Sequence, residues 1–143
     1  MFLVFFTVLY ALLTYGLMFS AQQTLNLAAQ DGARRMLRVQ APDSMAQRVS
    51  AGKALALQQA SWVSRMQNED VVVTVCGRVA ASALDCVNPA LRDGQVELSA
   101  SYAYGESPLI PNLPLLGRLL VSGDMVLRAR AVVELGNPPA VRP

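Results

Sequence analysis

Residues 1–21, MFLVFFTVLYALLTYGLMFSA, contain no charged side chain, and the first charge along the chain is Asp31. Phe2, Phe5, Phe6, Tyr10, Tyr15 and Phe19 fall on every side of a helical projection, so the run is apolar all round rather than amphipathic. A helix of that kind is buried in lipid or in other protein. About 20 apolar residues are enough to cross a bilayer core as a helix. Thr7, Thr14, Gly16 and Ser20 are small residues that let a second helix come close. A cleaved secretory signal fits less well, because the run is long and has neither a basic start nor an A-x-A-like site. A core helix of this length would be out of proportion to the domain. The segment is therefore expected to be a membrane anchor.

The helical pattern continues past the apolar run. Residues 22–40 lack proline, and Leu25, Ala28, Ala29, Gly32, Met36 and Val39 recur at spacings of three and four. Pro42 ends the pattern. The spacing predicts one helix of about 40 residues, roughly 60 Å long, apolar in its first half and amphipathic in its second. Arg34, Arg35 and Arg38 follow the apolar run and no positive side chain precedes it, the reverse of what the positive-inside rule expects for an exported domain. A basic leader upstream of the run would remove the conflict. After Pro42, Ser44 and Gln47 form a capping-box pattern that opens a second helix over 44–66. Met45, Val49, Gly52, Ala56, Gln59, Val63 and Met66 make its core face, with Leu55 and Trp62 beside it as packing residues.

The remainder alternates with a period of two. Residues 70–80 are rich in β-branched side chains and read as a strand, and 81–94 as a loop marked by Asn88-Pro89 and Asp93-Gly94. In 95–104, Val96, Leu98, Ala100, Tyr102 and Tyr104 point one way and Glu97, Ser99 and Ser101 the other. In 124–135, Leu127, Ala129, Ala131 and Val133 oppose Arg128, Arg130, Val132 and Glu134. An antiparallel sheet of about three strands with one covered face follows, so the fold class is α+β. The connection GESPLIPNLPLLGRLLVSG is broken by prolines yet strongly apolar. It is expected to hold a short helix near 112–121 over the sheet. Leu109, Ile110, Pro111, Leu113, Leu115 and Leu116 within it are candidates for a subunit contact. The tail GNPPAVRP reads as an extended end.

Composition removes several functions. The net charge is +2, with Lys53 as the one lysine and Arg34-Arg35 as the longest basic run, so there is no concentrated basic face for nucleic acid. There is no histidine, which excludes Ser/His/Asp and Cys/His catalysis. The acids sit mostly at helix edges, loops and strand ends, without the spacing of a calcium loop, and no glycine-rich phosphate loop occurs. Nothing supports a serine–lysine dyad through Lys53. No cofactor, metal or small-molecule substrate is expected, and the chain is not read as an enzyme. Cys76 and Cys86 are too few for a zinc site. They form a disulfide if the domain is exported and remain thiols if it is not.

The segment YGLMFSAQQTLNLAAQDGARRM, residues 15–36, resembles the signature of TadE-like pseudopilins. That signature is an apolar helix, an aromatic–glycine step (here Tyr15-Gly16), a glutamine-containing stretch (Gln22, Gln23) and an AAREGAR-like motif, here Ala28-Ala29-Gln30-Asp31-Gly32-Ala33-Arg34. Tyr102 and Tyr104, the apolar loop with Pro111 and the strand LRARAVVE are similar to the family's closing pattern. The resemblance implies a pilin-like fold and a structural role as a minor pilin of a tight-adherence pilus, in initiation, assembly or the tip, and so in adhesion. It implies as partners the inner membrane, other pilin subunits and the assembly machinery, with helix–helix assembly through the N-terminal segment. The domain would lie in the periplasm before assembly and on a cell-surface pilus afterwards. On this reading residues 1–21 are the membrane and filament-core half of the helix, 22–41 its amphipathic continuation and 42–143 the globular domain. Family members carry a glycine–acid cleavage junction just upstream of the apolar run. Here Phe5 is the fifth residue and no acid precedes Asp31, so no residue is assigned to processing. The alternative is an anchored periplasmic scaffold that never enters a filament.

Overall fold

The computed structural model describes residues 1–39, 44–78, 81–111, 113 and 121–135. Helix α1 (Phe2–Arg38) runs unbroken through both the apolar and the amphipathic stretch. Helix α2 (Met45–Gln67) opens on the expected capping box: the Gln47 amide donates to Ser44 Oγ, and the Ser44 amide donates to Gln47 Oε1. The two side chains thus reach each other's backbone amides at the start of the helix. Asn68, with φ 55°, closes α2 in the left-handed region.

Four strands follow: β1 (Val72–Gly77), β2 (Cys86–Val87), β3 (Gln95–Tyr102) and β4 (Leu127–Glu134). Their order in the sheet is β2-β1-β3-β4. The β1–β3 and β3–β4 pairs are antiparallel, as expected. The sheet is nevertheless mixed and has four strands rather than three, because β2 pairs in parallel with β1 inside the stretch read as a loop. Two residues carry no periodic signal, and parallel neighbours normally need a longer crossover. Asp85, just before β2, fastens this short pair to β1: its amide donates to the Val75 carbonyl at 2.8 Å, and its carboxylate accepts from the Val75 amide at 2.8 Å.

In β3 burial alternates residue by residue, with Val96, Leu98, Ala100 and Tyr102 inward. Register places Val75 beside Leu98, and Ala129 beside Ala100, on the same covered face. Tyr104 lies beyond the end of β3 yet is fully buried. Helix α1 covers β3 and β4, and α2 packs on α1 and reaches β1. The opposite face is mostly polar, with Val72 and Val132 exposed on it, and Thr74 and Ser99 share a 2.7 Å hydroxyl bond across β1 and β3. The expected helix at 112–121 falls outside the described residues except at Leu113 and Val121, as do Pro42, Leu115, Leu116 and the tail.

Candidate functional site

Among the described residues no cluster of three or more His, Cys, Asp or Glu side chains could hold a metal. The features that bear on function are those of α1 and what it touches.

The N-terminal end of α1 stands clear of the domain. Phe2 is 82% exposed, and Phe5, Phe6, Leu9, Leu12, Leu13, Tyr15 and Phe19 are exposed as well. This helix is long and apolar enough to cross a membrane, and 6% of its most apolar 18-residue window is buried inside the protein. Solvating so much apolar surface in water is unfavourable by about 25 cal/mol per Å2, so this surface requires a lipid or protein partner.

One line of residues is different. Tyr10, Thr14, Ala21, Leu25, Ala28, Ala29, Gly32, Ala33 and Met36 are buried, and Leu17 and Met18 pack on the same core. They advance by three and four, so they form one continuous stripe that faces the domain. The expectation that the first half has no stripe is thereby corrected. A stripe is visible in sequence only by contrast, and in residues 1–21 the outward positions are apolar too.

The AAQDGAR motif is the tightest part of this contact. Ala28, Ala29 and Ala33 have essentially no exposed surface. A Cβ on Gly32 would lie 2.8 Å from the Gly52 carbonyl oxygen and 3.0 Å from Leu98 Cδ1, and a Cβ on Gly52 would lie 2.8 Å from the Gly32 carbonyl oxygen. The two helix backbones therefore touch at paired glycines, with the sheet against the same spot. Asp31 holds the flank by accepting from Gln59 Nε2 at 2.9 Å, and Arg34 is exposed beside it. Gln22 Nε2 donates to the Arg128 carbonyl at the start of β4, while Gln23 is exposed. Trp62 packs as expected and donates from Nε1 to Thr24 Oγ1.

Below the sheet the apolar connection reaches α1. The Tyr10 hydroxyl donates to the Pro111 carbonyl at 3.1 Å, across 101 positions of sequence. Of the subunit-contact candidates, Leu109 belongs to the domain's own core, Ile110 and Leu113 are half-buried, and Pro111 is exposed. The sequence singled out Tyr10 only as part of the anchor. Its spacing of four from Thr14 was the available signal, and the phenol alone was not, because Tyr15 carries the same group and is exposed. Tyr102 and Tyr104 anchor the base of the connection. Burial, with the Glu69 charge nearby, pushes the Tyr102 phenol above its usual pKa, and burial does the same for Tyr104 with Tyr102 and Tyr10 close by.

At the other edge, Cys76 and Cys86 form a disulfide between directly paired positions of β1 and β2. Lys53 on α2 donates to Asp85 at 2.7 Å, so the single lysine ties α2 to this edge. Burial pushes the Asp85 carboxyl up, but the Lys53 bond and the Val75 amide outweigh it and hold the group below its usual range.

No curated protein and no solved structure matches the chain. Residues 1–34 match the TadE family, described as TadE-like protein, so the chain is similar to that family over its free apolar helix and the small residues that seat it on the domain.

Proposed function

We propose that this chain is a structural subunit of a tight-adherence pilus, a minor pilin or pseudopilin that is stored in the inner membrane and acts in pilus initiation, assembly or tip formation. The observation that carries this reading is the form of α1, a single helix whose apolar end is free of its own domain and whose remainder is locked into it. Residues 1–21 then serve as the membrane and filament-core half, 22–41 as the docking half and 42–143 as the exported domain. Other pilin helices replace lipid around Phe2, Phe5, Phe6, Tyr15 and Phe19 when the subunit leaves the membrane. The TadE-like match over residues 1–34 supports the class, and the disulfide supports export, since such bonds persist in oxidising compartments. Arg34, Arg35 and Arg38 lie in the last turns of α1, about a dozen residues or more beyond the apolar run, where their influence on orientation weakens. The role is structural, with no catalytic residue assigned.

The test is to shear cells and probe the released filaments for this chain. Recovery in the sheared fraction, with pilus formation lost on deletion, is the expected result. Retention in the membrane fraction together with normal piliation of the deletion strain would overturn it in favour of an anchored scaffold.

A further inference from the structure

The seam between α1 and α2 carries a polarised groove. Thr24, Leu27 and Asp31 advance by three and four along one face of α1, and Arg34, Arg35 and Arg38 continue that face to the end of the helix. Gln59 and Trp62 of α2 close a recess of about 250 Å3 around the first three. A second recess of about 230 Å3, which shares Asp31, lies among the three arginines and Leu55. Arg48, seven residues before Leu55 and so on the same face of α2, adds a cation at this end. The groove is therefore apolar nearest the free end of α1, acidic in its middle and basic beyond. Among the described residues its groups are incompletely partnered. Leu27 is 59% exposed. Gln59 Oε1 is buried without a hydrogen-bond partner. Asp31 and Arg34 stand 4.0 Å apart, at the limit of an ion pair, with both side chains open to solvent.

We infer that this groove is the contact face of a parallel dimer, with a second copy of this chain as its occupant. The inference rests on the reading of α1 as a membrane anchor. Charge selects the partner. The groove presents a carboxylate followed within about one turn by two guanidinium groups, so a partner of one sign would be repelled at one end. A second copy brings both signs in the matching order. The membrane selects the orientation. Two anchors that enter one bilayer from the same side are related by a two-fold axis along α1, so each residue lies level with its own copy. Arg34 and Arg35 lie about 4.5 and 6 Å beyond Asp31 along the helix, and helical side chains lean back toward the N-terminus. The arginines of each copy thus reach Asp31 of the other, and Leu27 meets Leu27 across the axis. A guanidinium arriving there also brings donors to Gln59 Oε1. Arg38, about 10.5 Å beyond Asp31, is outside this reach. Asp43, the next acid along the chain, lies outside the described residues and is not used in the pairing. Lipid does not fit as the partner of these arginines. Arg34 stands 13 residues past the apolar run, about 20 Å along the helix, whereas a headgroup layer is about 5–8 Å deep.

Crosslinking of the full chain in phosphatidylethanolamine–phosphatidylglycerol vesicles tests this directly. Both native cysteines are paired, so a short bismaleimide joins only introduced cysteines. Leu27→Cys reports the two-fold contact, and Val132→Cys on the outer sheet face is the control. Dimer at 27 is expected to exceed dimer at 132 at least fivefold. In the Leu27→Cys background, Arg34→Asp with Arg35→Asp is expected to cut the dimer at least fivefold, as is Asp31→Arg. Combining all three reverses the order of charges in both copies and is expected to restore the dimer to within twofold. Arg34 and Arg35 are exposed, so their variant keeps the test valid if Asp31→Arg disturbs the fold. Equal crosslinking at 27 and 132 overturns the dimer, and so does crosslinking at 27 that ignores the charge variants. Either result leaves the pilin reading to the sheared filaments, where recovery of the chain keeps that reading without this dimer. A chain that fails to float with the vesicles overturns the anchor reading, and the parallel dimer falls with it.

Discussion

Gly16 and Gly32 lie on one helix in opposite surroundings. A Cβ on Gly16 would meet nothing within 4 Å, whereas one on Gly32 would meet the backbone of α2 and the side chain of Leu98. Helical glycine costs about 1 kcal/mol relative to alanine. At Gly32 that cost is offset inside the subunit, because only glycine lets α1, α2 and the sheet converge. At Gly16 nothing among the described residues offsets it. The same residue type thus marks a position where α1 is locked into the domain and one where, among the described residues, it meets nothing.

The sharpest way to break this comparison is to add one methyl group at each site. Gly32→Ala sets a Cβ against a backbone carbonyl that cannot step aside cheaply, and overpacking of this kind costs about 1–3 kcal/mol. Thermal unfolding followed by circular dichroism in detergent should show a clear drop in Tm. Gly16→Ala should leave Tm unchanged or raise it, by up to about 1 kcal/mol in stability. On the pilin reading, the same variant should reduce the yield of sheared filaments. Equal losses of Tm at the two positions would end the distinction.

The next effect concerns the β2 edge of the sheet, at the opposite end from β4. Removing the disulfide with Cys76→Ser and Cys86→Ser together should cost about 2–3 kcal/mol, since the bond closes a short loop. Denaturant titration measures it. A domain equally stable without the bond would mean that Asp85 alone holds β2 in place.

A smaller change probes the upper limit of the docked stripe. Tyr10→Phe removes the bond to the Pro111 carbonyl and keeps the ring, so the expected loss is about 0.5–1.5 kcal/mol. Chemical denaturation in micelles should resolve it, and no change would mean that the stripe ends above Tyr10. The smallest effect is titration at Asp85. Its carboxyl is held below its usual value in the folded state, so its contribution is present above the ordinary carboxylate pKa and is lost as pH falls through the lower folded value. The pair with Lys53 is partly exposed, which limits the contribution to under about 1 kcal/mol. Lys53→Met should flatten the pH dependence of stability below about pH 4 without altering it near pH 7.

Legibility in the sequence followed contrast. Helix α2 was readable because Ser44 and Gln47 advertise its start, and β3 because serines and glutamate separate its apolar residues. The stripe from Leu25 to Met36 was readable against Gln30, Asp31, Arg34 and Arg35. The same stripe from Tyr10 to Met18 was not, because Leu12, Leu13, Tyr15 and Phe19 are as apolar as the residues facing the domain. Strand β2 was hidden for another reason: its pairing depends on Asp85 and on a covalent bond, and neither leaves a pattern in its two residues.

The continuity of α1 has a mechanical consequence. The helix has no break between Phe2 and Arg38, and the domain grips it from Tyr10 to Met36. The domain is thus a collar fixed on a shaft, with no joint between the gripping region and the free end. Traction on the domain is carried by a ladder of backbone hydrogen bonds in one helix, so pulling on one end orients and displaces the other without slack.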